Sequence, residues 1–515
     1  MAEELHHSQK STQYNAANLL AIIAMGVGSV GYGYSANVIA PVLAFPSFND
    51  YFELETRSNG SAILALMTSM YYVGGTIAAF SIGFMAEKYG RKWAIAASAI
   101  VTLISGALLA GSVDVAMFIV FRFWSGAGGN LLSATVPIWM AEVVPAKNRG
   151  LLVDLHGAMY VFGYMAAAWV GYGFFFMDSK DSWRAPFAVQ CLPPLLLLAG
   201  IYWLPESPRW LLMKDRHDEA RKILHRLHSP EEAEVEYIQI DAQMRIDKTL
   251  DTSYMHMFRK PSYRRRLWLS LACTGFNQFS GILVITNYSP LIYKNLGYDT
   301  PQQLLYNSGW QTLSLGSALI GLFIIDRLPR PLVLQLGIGG CMVFLILEAA
   351  LVAEFVDTSG APSTNGSALK ACVAMIFCYN FFFQGLLNGT QWAYVSELWP
   401  SHMRPKGLAM GLVAILTLNI AFVQAAPTAF ANIGWKYYLV FIIPSAIWIV
   451  IIQFTFPDTK GLPLEEVARL FGDEDELAHQ EEVHKALEED LHTHKDAGEI
   501  LHQEHDITPK TETEA

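Results

Sequence analysis

Long apolar stretches separated by short polar breaks recur along most of the chain. A membrane-crossing helix needs about 20 mainly apolar residues. That criterion predicts twelve spans, at about 19–43, 62–84, 93–112, 115–140, 152–176, 184–204, 268–293, 308–326, 332–354, 370–398, 407–430 and 436–456. Glycine and proline recur inside them, which helices packed against one another in a bilayer tolerate. Two polar regions interrupt the pattern. The insert 205–267 contains Asp218–Leu227 and Glu231–Ile246, both with helical periodicity and one charged side, and predicts a small helical segment at the membrane surface. The tail, 457–515, has little apolar content and predicts a weak helix or disorder.

Composition agrees with lipid as the solvent. Only 16% of the 515 residues are charged and 53% are hydrophobic, whereas soluble domains carry about a quarter charged residues. The net charge of -11 belongs to the tail: from Phe471 onward there are 15 acids and 3 Lys/Arg, a balance of -12 that leaves +1 for the rest. The acidity therefore says nothing about a substrate. The five cysteines all sit in apolar runs and read as buried free thiols.

An even number of spans puts both termini on one side. Assigning that side to the cytoplasm collects most loop Lys and Arg there, including Lys88, Arg91, Lys92, Arg149, Arg330 and Arg404. The sequons at Asn59 and Asn365 then fall in outer loops as candidate glycosylation sites, while Asn388 lies deep in the tenth span and should stay unmodified.

The two halves of the chain echo each other. Glu87-Lys88-Tyr89-Gly90-Arg91-Lys92 follows the second span, and Asp326-Arg327-Leu328-Pro329-Arg330 follows the eighth. Glu142 leads to Arg149 after the fourth span as Glu397 leads to Arg404 after the tenth, with Pro three residues after each Glu and Arg seven after it. Pro205-Glu206-Ser207-Pro208-Arg209 closes the sixth span, and Pro457-Asp458-Thr459-Lys460-Gly461 closes the twelfth. Charged motifs at matching positions predict two pseudo-symmetric six-helix bundles, 19–204 and 268–456, flanked by a segment 1–18, the insert 205–267 and the tail 457–515. Acids and bases at neighbouring helix ends can bridge when those ends meet. Glu87, Arg91, Glu142, Arg149, Glu206, Asp326, Arg330, Glu397 and Arg404 are accordingly the candidate gating charges. Such partly buried pairs contribute about 1–3 kcal/mol each, enough to bias a two-state equilibrium.

This motif set resembles that of the sugar porter family of the major facilitator superfamily, in the style of its fungal members. The carriers are Glu87 to Lys92, Arg122 to Gly128 with Pro137, Glu142 and Arg149-Gly150, Pro205 to Trp210, Asn277-Gln278-Phe279-Ser280-Gly281, Trp392 to Glu397, and Pro457 to Gly461. The resemblance covers about 20–470. It implies the major facilitator fold, a central cavity between the bundles, and alternating access. It also implies a substrate site at Gln278, Asn277, Asn287, Ser314, Gln384, Trp392 and Asn419, the first two matching a pair of span-seven glutamines and Trp392 an aromatic floor. The sequence departs from the pattern at Gly157, Leu283 and Ile415, which stand where amides are usual. A sugar site needs side-chain donors and acceptors with an aromatic face, so the expected cavity is roomier and less polar than a hexose site.

Intramembrane ionisable groups are candidates for coupling. Arg122 aligns with a family arginine that pairs, in proton symporters, with a span-one acid; Ser35 stands at that acid's position and cannot titrate near neutral pH. Facilitated diffusion is therefore favoured over proton symport. Asp154 and His156 are the nearest alternative proton acceptors, with Glu348 a further one. The expected partners are a small sugar or polyol, the lipid bilayer and, if symport operates, protons; no cofactor, metal, nucleic acid or oligomer is called for. The chain lacks the motifs of an ATP-driven pump or an enzyme. A transporter or exporter of another small metabolite and a non-transporting sugar sensor remain as alternative functions. The intact closing motifs argue against the sensor.

Overall fold

The computed structural model describes residues 16–143, 149–227, 230–247, 250, 253–355 and 366–478, with side chains of all but 16–22, 83–84, 149–154, 230–231, 246–247 and 464. Asn365 and the tail beyond residue 478 lie outside the described residues.

Twelve membrane helices run α1 (Ala16–Asn37), α2 (Gly60–Tyr89), α3 (Arg91–Ala110), α4 (Val115–Val143), α5 (Arg149–Phe175), α6 (Arg184–Ile201), α7 (Pro261–Asn295), α8 (Thr300–Ile325), α9 (Arg330–Phe355), α10 (Gly366–Leu398), α11 (Arg404–Ile433) and α12 (Leu439–Thr455). Ten described stretches are long and apolar enough to cross a membrane. Counting the 52-residue stretch Arg404–Thr455 as two helices, and α1 separately, gives the twelve. Outward-pointing Trp93, Phe323 and Phe454 are two-thirds or more exposed, as lipid-facing side chains should be.

Several helices are broken where the hydropathy pattern is continuous. In α6 the helix lapses at Gln190–Cys191, just before Pro193 and Pro194, whose rings obstruct the preceding carbonyls. In α7 a 3₁₀ turn at Gln278–Ser280 ends on Gly281 at φ +81°, and a second kink follows at Tyr288, ahead of Pro290. In α10 residues Phe383–Leu387 form a π-turn, a feature that re-aims side chains at functional sites. Gly434, at φ +51°, opens the link from α11 to α12.

The first six helices form one bundle, with α2 and α3 against α4 and α1 against α5. The last six form another, with α9 against α10 and α12, and α7 against α11. The bundles meet along α2–α11 and α5–α8. Close approach depends on missing side chains: a Cβ on Gly33 would collide with the Tyr160 carbonyl oxygen, and one on Gly126 with that of Tyr71.

One face carries the repeated motifs. Helices Pro208–Met213, His217–Leu227, Pro230–Asp247 and Tyr254–Arg259 cover it around Leu211, Leu212, Ala220 and Met244. After α12, the short helix Leu464–Leu470 leads to Asp473, whose buried carboxylate pairs with Lys260 at 2.5 Å and accepts from the Ser262 hydroxyl. On the opposite face, Phe48, Phe118, Trp183 and Phe187 stack edge to face at 5.4–6.4 Å between centroids.

Candidate functional site

On the motif face each bundle builds the same charged knot. Arg91 at the start of α3 donates from Nε and Nη2 to the two oxygens of Glu142, both at 2.8 Å. Glu206 accepts from the backbone N–H groups of Arg91 (3.0 Å), Lys92 and Ser207, capping the free donors at the α3 N-terminus. Burial pushes the Glu206 carboxyl up from its ordinary value, against the pull of those N–H groups and of Arg91. In the second bundle Arg330 donates to Glu397 at 2.7 Å and to Asp326 at 3.1 Å. Asp458 accepts from the Arg330 backbone N–H at 3.0 Å, and Thr459 donates to Glu397 at 2.6 Å. Both knots lie within a bundle, not between bundles. Glu87 is exposed beside the motif, its carbonyl accepting from the Trp210 indole. Arg404 reaches the Trp399 carbonyl at 3.5 Å. The Arg149 and Asp154 side chains lie outside the described residues, although both positions are on α5.

Several neutral contacts and an exposed Lys294–Glu55 pair join the bundles. Ser69 donates to Gln424 at 2.5 Å, Asn287 to the Tyr72 hydroxyl at 2.8 Å, and Gln311 to Asn37 at 3.2 Å. By their positions along the helices these lie toward the face opposite the motifs. Deeper in, Asn388 donates to the hydroxyl of Tyr160 and also to Gln384 at 2.8 Å. Asn277 donates to Gln391 at 2.6 Å. These amides join α7, α10 and α5 in one polar seam. Residues 384, 388 and 392 step by four along α10, so one helix face carries Gln384, Asn388 and the part-buried Trp392. Sequence reading took Asn388 only as a sequon; that spacing was the signal for its present place.

Valence remains unspent in this seam. Gln278 Oε1, Asn277 Oδ1 and both amide atoms of Asn419 are buried with no hydrogen-bond partner. Such groups call for a ligand or water. Ser314 is more fully engaged, accepting from Asn380 at 2.7 Å while donating to the Trp310 carbonyl. Leu283 is part-buried and Ile415 buried. Across the seam stand four ring side chains that the sequence pattern did not single out as a group: His156, Tyr160 and Tyr164 of α5 and Tyr32 of α1.

Arg122 is fully buried in the first bundle. It donates to the carbonyls of Met67 and Ser35, each at 3.2 Å, and lies 4.8 Å from the Tyr71 ring centroid. Among the described residues no carboxylate pairs with it. Ser35 bonds to the Tyr71 hydroxyl at 3.0 Å and the Tyr32 carbonyl. His156 meets Ser29 at 2.7 Å through Nδ1. Glu348 lies away from the seam, inside the second bundle, lining a hollow with Ile285, Phe344, Tyr379 and Tyr438. Asn59 is exposed in the α1–α2 connection.

Residues 20–471 match the family model described as Sugar (and other) transporter. The chain is 28% identical to the MFS-type transporter criB of Aspergillus cristatus, covering 88% of this chain and 92% of that one. It is 29% identical to the mouse solute carrier family 2, facilitated glucose transporter member 3, over 90% and 94% of the two chains. Its fold superimposes on the inward-open xylose transporter XylE from E. coli with a TM-score of 0.73, at 22% identity, over 88% and 99%.

Proposed function

Because the chain belongs to the Sugar (and other) transporter family, we propose that it moves a sugar or related polyol across the plasma membrane by alternating access, as facilitated diffusion and as a monomer. Both termini then face the cytoplasm, which puts the basic motif face on the positive-inside side. The observation that carries this reading is the buried amide valence of Asn277, Gln278 and Asn419 on α7 and α11, helices packed against the α10 segment that carries Trp392. Hydroxyls of a polyol satisfy such amides, and the indole offers an apolar face. The charged knots hold the helix ends of each bundle together, so that each half rocks as a body while the neutral seam breaks and reforms. Facilitated movement is supported by Ser35, which offers no acid, and by Arg122, whose described partners are carbonyls and a ring.

A second reading, transport or export of a less polar metabolite, is favoured by the open space beside Gly157. Radiolabelled uptake in yeast stripped of its own hexose transporters tests both. Glucose, galactose, xylose, lactose and myo-inositol would each be offered with and without a protonophore. Protonophore-resistant uptake of one sugar is the expected result. Protonophore-sensitive uptake overturns facilitated diffusion. No uptake, with the protein at the cell surface, overturns the sugar reading in favour of the metabolite.

A further inference from the structure

The two walls of the seam differ in chemistry. On the second bundle, α7, α10 and α11 present amides, several with unspent valence: Asn277, Gln278 and Asn419. On the first bundle, α1 and α5 present rings. Tyr32 and Tyr160 stand edge to face at 6.0 Å, Tyr160 and Tyr164 at 5.7 Å, and His156 lies 6.0 Å from Tyr160. All four rings are only part-buried, unlike Tyr34 and Trp139 of the same bundle, which are fully packed. Several polar atoms on this wall are already engaged. Tyr160 accepts from Asn388, His156 is held by Ser29, and Asn37 is shared between the Tyr164 carbonyl and Gln311.

A second observation makes the ring wall more than packing. One residue after His156, position 157 has no side chain. Among the described residues, a Cβ built there meets the edge of the Tyr160 ring, at 3.9 Å. Tight helix-packing glycines such as Gly33 would strike backbone at once. Gly157 therefore borders the Tyr160 ring without a close helix crossing.

A free hexose carries hydroxyls around its whole rim. Against α5 those hydroxyls would meet mainly ring faces, and each one buried without a partner is costly. A molecule with hydroxyls on one side and a flat apolar group on the other fits both walls. We propose that the site selects a glycoside or cyclic polyol bearing an aromatic or similarly flat apolar substituent. The hydroxyls lie against the α7/α10/α11 amides, and the substituent enters the gap at Gly157 beside Tyr160 and His156. The proposal rests on the sugar-transport reading above and adds the substrate class.

The test is binding to the purified full-length protein, read as ligand-dependent stabilisation in detergent, with phenyl β-D-glucopyranoside and glucose as probes. Burying one phenyl ring against these rings should favour the phenyl glucoside by about tenfold, equivalent to ~1.4 kcal/mol. The double variant Gly157→Gln/Tyr160→Gln fills the gap with amides and should erase or reverse that preference. Tyr160→Phe keeps the ring and should retain it, which separates ring stacking from loss of folding. Equal or tighter binding of glucose by the unaltered protein overturns the proposal while leaving sugar transport standing. So does an undiminished preference in the double variant. Binding of neither probe, joined to no uptake of any sugar, overturns the transport reading and the proposal together.

Discussion

Glu397→Ala isolates the charged knot of the second bundle. The change takes three charge-assisted bonds from Arg330, whose side chain is 7% exposed, and removes the acceptor of the Thr459 hydroxyl. Arg330 keeps Asp326, which is 77% exposed, and the Ile325 carbonyl. Breaking a buried pair from one side costs about 3–5 kcal/mol. Glu397 is 26% exposed, so water recovers part of that, and a loss of about 2–3 kcal/mol is expected. Arg330→Ala should cost a similar amount. The double variant should cost much less than the sum, leaving a coupling energy of about 2 kcal/mol. The control pairs Glu397→Ala with Glu142→Ala. These residues sit in different bundles and share no partner, so their costs should add to within about 0.5 kcal/mol. Equilibrium unfolding of the full chain in a detergent titration reads all of these. Additive costs for Arg330→Ala and Glu397→Ala would refute the assignment, as would strong coupling between Glu142 and Glu397.

Three further outcomes are expected. Trp392→Ala and Gln278→Ala should each weaken substrate binding with little change in expression; an unchanged concentration dependence of uptake in both would move the site elsewhere. Gly33→Ala drives a methyl group into the Tyr160 carbonyl and should destabilise the first bundle by about 1–3 kcal/mol; an unaltered unfolding midpoint would contradict the α1–α5 packing. Glu206 should give the stability a pH slope. Burial raises its titration range, so the folded chain holds a proton that the unfolded chain has already lost. The stability this group contributes is thus greatest on the acid side and falls as pH climbs through the raised value. Glu206→Gln should remove that slope, which unfolding midpoints from mildly acidic to neutral pH would reveal.

The helices and the motif-face charges were legible because lipid selects strongly for apolar length and because the charges recur in both halves. Where a helix breaks was not. Gly281 at φ +81° and the π-turn at Phe383–Leu387 sit in runs whose hydropathy never falters. The site was half legible. Amides such as Gln278 and Gln384 stand out in an apolar span because each needs a partner there. Tyr32, Tyr160 and Tyr164 do not. In a helix apolar on every side, period alone cannot tell a ring facing lipid from one facing a gap. Their place near the seam emerges only when α5 is set against α10.

The neutrality of the seam has an electrical consequence. Moving one elementary charge through a membrane potential is worth about 2.3 kcal/mol per 100 mV. The seam bonds described above join amides, hydroxyls and rings, while Arg91, Arg122 and Arg330 are bonded within their own bundles. The Lys294–Glu55 pair that does cross is exposed at the end of its helix, where the potential has little grip. Breaking these seam bonds therefore moves no charge through the potential. If the cargo is uncharged and carries no proton with it, the direction of net flow follows concentration alone.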